Sequence, residues 1–193
     1  MNELCIKRSA LIVIDMQRYF LARGAEAYLA PPRSLIPNAL KLIAAFRERG
    51  LTVVITRHAH PKRDTAGQMG RWWNGKLPRL GDPESELIDE IKPMRGEIYL
   101  TKRRYSAFEG TDLARKLRQR RVESLVICGV MTNLCVETTA RHAFMKDFEP
   151  TIVKDACAAG SAKFQNASLT NLGYGFAHIV TTREILSMMR RDS

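Results

Sequence analysis

Apolar, β-branched runs alternate with amphipathic stretches along almost the whole chain, and this rhythm restricts the possible folds more than any other feature. Ser9 to Ile14 reads S-A-L-I-V-I, a strand buried on both faces that stops at Asp15. Asn38 to Arg49 places Leu40, Ile43, Ala44 and Phe46 on one helical face, with Gly50 where a C-cap belongs. Further strands are expected at 51–56, 97–101, 124–128, 150–153 and 176–180, and further helices at 84–91, 111–120, 133–146, 161–172 and 182–189. Continuous apolar strands separated by helices imply a parallel sheet covered on both sides. The fold class is therefore α/β: a three-layer α/β/α, doubly wound sheet of about six parallel strands. At 193 residues the chain suits one domain, 1–193, with a core of its own. The stretch from His58 to Asp82 lacks the rhythm and carries Trp72 and Trp73; it is either a functional loop or a surface excursion pinned by tryptophan.

Lysine and arginine exceed the acids by 31 to 20, for a net charge of +11, with basic runs at 102–104, 115–121 and 190–191. Such a field attracts anions. No recognition motif or series of stacking aromatics accompanies it, so nucleic acid is not the expected partner and a small, anionic substrate fits better. The apolar run 10–14 is too short for a membrane helix and lacks the length and cleavage site of a signal peptide, which points to the cytoplasm and away from membranes. Cys5, Cys128, Cys135 and Cys157 form no C-x-x-C pair and no metal-finger spacing, so in a reducing compartment each is packing or chemistry. Cys128 and Cys157 read as buried packing, and Cys5, near the start, as exposed.

Ligands in open parallel sheets bind beyond the carboxyl ends of the strands. Three reactive side chains fall there: Asp15 after I-V-I, Lys102 after I-Y-L-T, and Cys135 just past L-V-I-C-G-V. A thiol could attack a carbonyl, a carboxylate could take and return its proton, and an ammonium could offset the shared negative charge. A cysteine in the first turn of a helix also feels the positive end of the dipole, which favours the thiolate. Backbone N–H groups in the turn G-V-M-T-N-L-C could hold an oxyanion. Taken singly, Cys135 could be a small buried hydrophobe, Asp15 an N-cap and Lys102 a surface cation.

The segments A-L-I-V-I-D-M-Q-R-Y-F (10–20), Y-L-T-K-R-R-Y-S-A-F-E-G-T-D-L (99–113), V-I-C-G-V-M-T-N-L-C-V-E-T-T-A-R-H-A-F (126–144) and V-K-D-A-C-A-A (153–159) resemble the isochorismatase-like cysteine hydrolase superfamily. That superfamily includes nicotinamidases, N-carbamoylsarcosine amidohydrolases and ureidoacrylate amidohydrolases. The resemblance implies a catalytic triad of Asp15, Lys102 and Cys135. It also implies a non-proline cis peptide between Val130 and Met131, which would aim the Met131 N–H at an oxyanion, with Thr132 anchoring the turn. It implies hydrolysis of a small amide, carbamoyl or ureido C–N bond through a thioester, and a homo-oligomer. Isochorismatase itself, a vinyl-ether hydrolase, lacks the cysteine, so Cys135 favours the amidase branch. The rivals are vinyl-ether hydrolysis on the same fold and a basic binding module without catalysis.

Nicotinamidases hold a divalent metal through Asp-x-His after the second strand and further histidines downstream. This chain reads T-R-H-A-H, with His58 in the aspartate's place, His60 matching the histidine, and no histidine in 61–80. The expectation is no metal and no cofactor, His58 and His60 being the pair that would hold a divalent ion if one were bound; otherwise they are hydrogen-bonded residues of the pocket wall. Phe20, Trp72, Trp73 and Tyr105 are the candidate apolar lining, or else core. Arg57 and Arg71 could clamp a substrate carboxylate, but read better as surface cations.

Overall fold

In the computed structural model, which describes residues 6–191, the strands are β1 (Ser9–Ile14), β2 (Thr52–His58), β3 (Ile98–Lys102), β4 (Ser124–Val130), β5 (Glu149–Ala158) and β6 (His178–Val180). Cys5 lies outside the described residues. The sheet runs β3-β2-β1-β4-β5-β6, with every neighbouring pair parallel. β1 and β4 occupy the middle and are buried at every position, as their unbroken apolar sequences require. β3 lies at an edge and alternates buried with exposed, ending on the buried Lys102.

The helices are α1 (Arg18–Leu21), α2 (Leu35–Glu48), α3 (Gly67–Trp72), α4 (Leu113–Gln119), α5 (Glu137–Phe144), α6 (Ala162–Gly175) and α7 (Thr182–Arg191). From β1 the chain steps outward to β2 and β3, then returns to β4 and continues the other way to β6. Right-handed crossovers convert that reversal into helices on opposite faces, giving three layers. The change of direction falls between β1 and β4, where a crevice opens beyond the strand ends. Asp15 and Cys135 stand at that opening.

Two local expectations need correction. Helix α2 turns Ala39, Leu42, Ile43, Ala45 and Phe46 inward, leaving Ala44 exposed and Leu40 half-buried, so its buried stripe is rotated from the expected one. Gly50 does terminate it, at φ +62°, with Gly50 N–H on the Arg47 carbonyl and Leu51 N–H on Phe46. The helix expected at 84–91 is absent. After a single 3-10 turn at Pro83–Ser85 the backbone serves the β1 exit instead of itself: Ile88 N–H donates to Met16 O at 3.0 Å and Arg18 N–H to Glu86 O at 3.0 Å. Leu87, Ile88 and Ile91 mimic helical spacing because Ile88 and Ile91 anchor this strap in the core.

Gly129 in β4 has φ +115°, and a Cβ there would sit 2.1 Å from the Ile14 carbonyl oxygen. β4 thus presses bare backbone against the last residue of β1, the residue before Asp15. Gly129→Ala should destabilise the protein by about 3 kcal/mol or more, since both steric overlap and φ are wrong. Gly50→Ala, with open space around it, should cost only about 1–2 kcal/mol. Urea denaturation of both variants checks the ordering.

Candidate active site

Lys102 has no side-chain exposure, and neither does Asp15; their Nζ and Oδ2 are 2.7 Å apart. The same Nζ donates to Cys135 Sγ at 3.2 Å and to the Arg104 carbonyl at 3.0 Å. Three residues from three strand ends therefore meet at one ammonium. The sheet supplies the convergence: Asp15 follows β1, Lys102 ends β3, and Cys135 lies in a five-residue π-helical turn, Thr132–Val136, between β4 and α5. The Val130–Met131 peptide is cis.

Neighbours fix the carboxylate. Asp15 adopts φ +47°, a left-handed conformation that aspartate tolerates better than most residues. Thr56 of β2 donates its hydroxyl to Asp15 Oδ1 at 2.6 Å and accepts the Asp15 N–H at 3.2 Å. Two residues further on, the Gln17 side chain accepts the His58 N–H at 2.8 Å and donates to the carbonyls of His58 and Ser85 at 2.9 and 2.6 Å. Neither Thr56 nor Gln17 was singled out from sequence. Their roles depend on β1–β2 register, which the sequence does not reveal.

The electrostatics reverse one expectation. Burial pushes the Cys135 thiol up to about 12, and the nearby Lys102 ammonium offsets only part of this. The helix-dipole argument for a preformed thiolate is outweighed by desolvation. Burial thus favours the neutral thiol of Cys135 over the thiolate. For Lys102, burial opposes the charge, but the attraction of the Asp15 carboxylate outweighs it, and its pKa is raised.

Over Cys135 opens a cavity of about 310 Å³ whose walls include Tyr19, Phe20, His58, Trp73, Tyr105, Met131 and Leu134. The Trp73 indole N–H donates to the Tyr105 hydroxyl at 2.8 Å, joining the loop after α3 to the β3 exit. Phe20, His58, Trp73 and Tyr105 thus reach the cavity. Trp72 does not: it is 71% exposed and borders a separate, shallower depression. Adjacent side chains at the end of α3 diverge, so the two tryptophans cannot share one pocket. His60 is buried behind His58, and Val130 and Thr132 are buried beneath the turn. Missed entirely were Glu26 and Lys76, paired at 2.7 Å across the cavity wall. Arg57 bonds Glu86 and Arg71 bonds Gln68, so both are tied to surface partners.

An isochorismatase domain profile matches residues 9–184. The chain belongs to the isochorismatase family. It is 38% identical to nicotinamidase 3 of Arabidopsis thaliana, over 90% of this chain and 85% of that one. It is 33% identical to the ureidoacrylate amidohydrolase RutB of Cronobacter sakazakii, over 86% and 82% of the two chains. Among solved structures it resembles a cysteine hydrolase from Pseudomonas syringae pv. phaseolicola with a TM-score of 0.90 at 28% identity, covering 96% and 94%. This isochorismatase-family hydrolase thus has the six-stranded parallel sheet of its structural relatives.

One structural relative, the pyrazinamidase of Pyrococcus horikoshii (TM-score 0.79, 30% identity, covering 90% of this chain and 99% of that one), was solved in complex with zinc. In this chain Asp15, His58 and Cys135 each present a ligand atom, all within 4.8 Å of one another. The Lys102 ammonium already holds both Asp15 and Cys135, so a dication there would face a buried cation bonded to two of its three ligands. The other pair, His58 and His60, spends its Nε2 atoms on each other at 3.0 Å amid the charges of Lys102, Arg104 and Arg79. A metal at either set would sit beside fixed positive charge.

Removing one member of a buried ion pair strands the other, at about 3–5 kcal/mol. Lys102→Met should therefore destabilise the fold by that amount. The double variant Asp15→Leu with Lys102→Met should cost clearly less than the sum of the two singles. A double-mutant cycle in denaturant checks this; strictly additive losses would contradict direct coupling.

Proposed function

We propose that this chain is a cysteine amidohydrolase that cleaves a C–N bond of a small amide, carbamoyl or ureido substrate, with Cys135 as nucleophile. The single observation that carries this reading is the Lys102 ammonium bonded at once to Asp15 and to Cys135 Sγ, with Cys135 itself lining the cavity. Because the thiol is neutral at rest, attack and deprotonation go together: Asp15 takes the proton as sulfur bonds to the substrate carbonyl carbon. Lys102 keeps the growing negative charge near a fixed cation. The turn that carries Met131 and Cys135 offers backbone N–H groups to the oxyanion, and Thr132 is buried beneath it. Asp15 then gives its proton to the departing nitrogen, the C–N bond breaks, and a thioester remains. Water attacks the thioester, losing its proton to Asp15, and the acid leaves as the thiol reforms.

The cavity walls bear on the substrate. Tyr19, Phe20, Trp73, Tyr105 and Leu134 make them largely apolar and aromatic, which suits a compact, planar acyl group. Glu26 and Lys76 supply one charge of each sign, and Lys76 could meet the anionic end of a substrate by leaving Glu26. The names of the relatives, nicotinamidase and ureidoacrylate amidohydrolase, span a planar amide and a ureido acid. The reading also takes in residues 1–193 as one domain, a cytoplasmic location, a homo-oligomer and no nucleic-acid partner. Among the described residues no helix is long and apolar enough to cross a membrane.

A screen for ammonia release over small amides, carbamoyl compounds and ureido acids, run beside Cys135→Ala, tests the reaction. The variant should lose at least about a thousandfold in kcat/KM. Unchanged turnover in Cys135→Ala, or turnover confined to vinyl ethers, would refute the covalent amidase route. The thiol's resting state has its own check. A thiol titrating at about 12 is almost wholly protonated at neutral pH, so alkylation of Cys135 by iodoacetamide should keep rising with pH through the ordinary thiol range. A plateau already reached near pH ~7 would show a preformed thiolate, as expected of an unburied thiol beside a cation.

A further inference from the structure

His58, 3% exposed, lines the cavity, and one of its ring nitrogens lies within 4.8 Å of both Cys135 Sγ and an Asp15 oxygen. Behind it runs a chain of hydrogen bonds. His58 Nε2 meets His60 Nε2 at 3.0 Å, and His60 Nδ1 meets Asp64 Oδ2 at 3.3 Å. The other Asp64 oxygen accepts the Ala66 N–H at 2.8 Å, which fixes the carboxylate at its outer end. No described residue offers His58 Nδ1 a hydrogen bond, so this nitrogen is left for whatever occupies the cavity.

We propose that Asp64, His60 and His58 form a relay that holds the His58 proton on Nε2 and so presents Nδ1 as an obligatory acceptor for the N–H of a bound substrate. The logic is one of protons. Asp64 accepts, so His60 carries hydrogen on Nδ1 and keeps a lone pair on Nε2. Two facing Nε2 atoms share one proton, which must then belong to His58. Its Nδ1 is left with a lone pair. Both rings are buried, and His58 pairs in register with the charged Lys102, so burial opposes a second positive charge there. Gln17, gripping the His58 backbone on both sides, keeps the ring from swinging away.

The consequence is selectivity for nitrogen. An amide, carbamoyl or ureido group brings an N–H that Nδ1 can accept, whereas an ester of the same acid brings an oxygen that faces it lone pair to lone pair. A site that accepts a hydrogen bond discriminates against the analogue that cannot donate one, because the buried acceptor is then stranded. His58 is thus the group that touches substrate; His60 and Asp64 are positioning residues acting through it. This rests on the reading of Cys135 as nucleophile only for its catalytic consequence, since the tautomer can be measured without turnover.

Long-range nitrogen–proton correlation NMR on the full chain labelled with 15N-histidine reads the tautomers directly. We expect His58 as Nε2–H and His60 as Nδ1–H between about pH 6 and 8, and loss of the single His58 tautomer in His60→Leu. His58 found as Nδ1–H, or as imidazolium near neutral pH, overturns the relay. Zinc retained at about one per chain on dialysed protein, shifting both histidines, overturns it as well. The selectivity is read from Cys135 labelling by chloroacetamide against methyl chloroacetate. That amide-to-ester rate ratio should fall roughly tenfold in His58→Leu, which loses the acceptor, and recover in part in His58→Asn, whose carbonyl restores one. A ratio unchanged in His58→Leu refutes the acceptor role, and labelling spread over other cysteines points instead to failure of the nucleophile assignment.

Discussion

A fully buried ammonium, bonded to one carboxylate and one sulfur, is the constraint around which this molecule is arranged. Lysine is among the residues least often buried, and Lys102 has no exposed side-chain surface. Its charge is tolerable only while Asp15 stays within contact, and Asp15 stays because Thr56 and a left-handed backbone hold its carboxylate. That requirement reaches back into the sheet. β1 must end at Asp15, β3 must end at Lys102, and β4 must run close enough to β1 that Gly129 has no room for a side chain. The topology that places these strand ends around one crevice is therefore part of the chemistry, not merely its container.

The same burial sets the character of the proposed nucleophile. Desolvation keeps Cys135 protonated, so the site does not hold a standing thiolate that could react with any passing electrophile. In the proposed reaction, attack is conditional on a substrate that can accept sulfur as Asp15 accepts the proton. The largely apolar lining strengthens this condition, because each polar contact counts for more in such surroundings. The His58 ring, with its hydrogen-bonded support, is one of the few polar elements in that wall.

Much of this was legible in the sequence, and the limits are instructive. The strands β1 and β4, their order of appearance and the three reactive residues at strand ends follow from apolar runs that stop at a charged or nucleophilic side chain. What periodicity could not supply was which strands are neighbours. Thr56 and Gln17 support the site only because β2 pairs with β1 in one particular register. The segment 84–91 deceived because isoleucines anchoring an extended strap recur at helical intervals. The dipole argument for Cys135 failed because it weighed a local field without the cost of burial, and burial emerges only from the assembled layers. Trp72 and Trp73 looked equivalent as neighbours in sequence, yet one is 71% exposed and the other is tied to Tyr105 in the cavity wall.

The solved relatives share the fold, and here the exit of β2 carries two histidines bonded to each other beside a buried lysine. The central claim, that sulfur forms the covalent bond, is most directly tested by rapid-quench mass spectrometry of wild-type protein during turnover of a substrate from the amide screen. The account predicts a transient adduct on the peptide containing Cys135, with the mass of the acyl group after loss of the amine. Turnover with no adduct at any quench time, even when deacylation is slowed by low temperature, would contradict it.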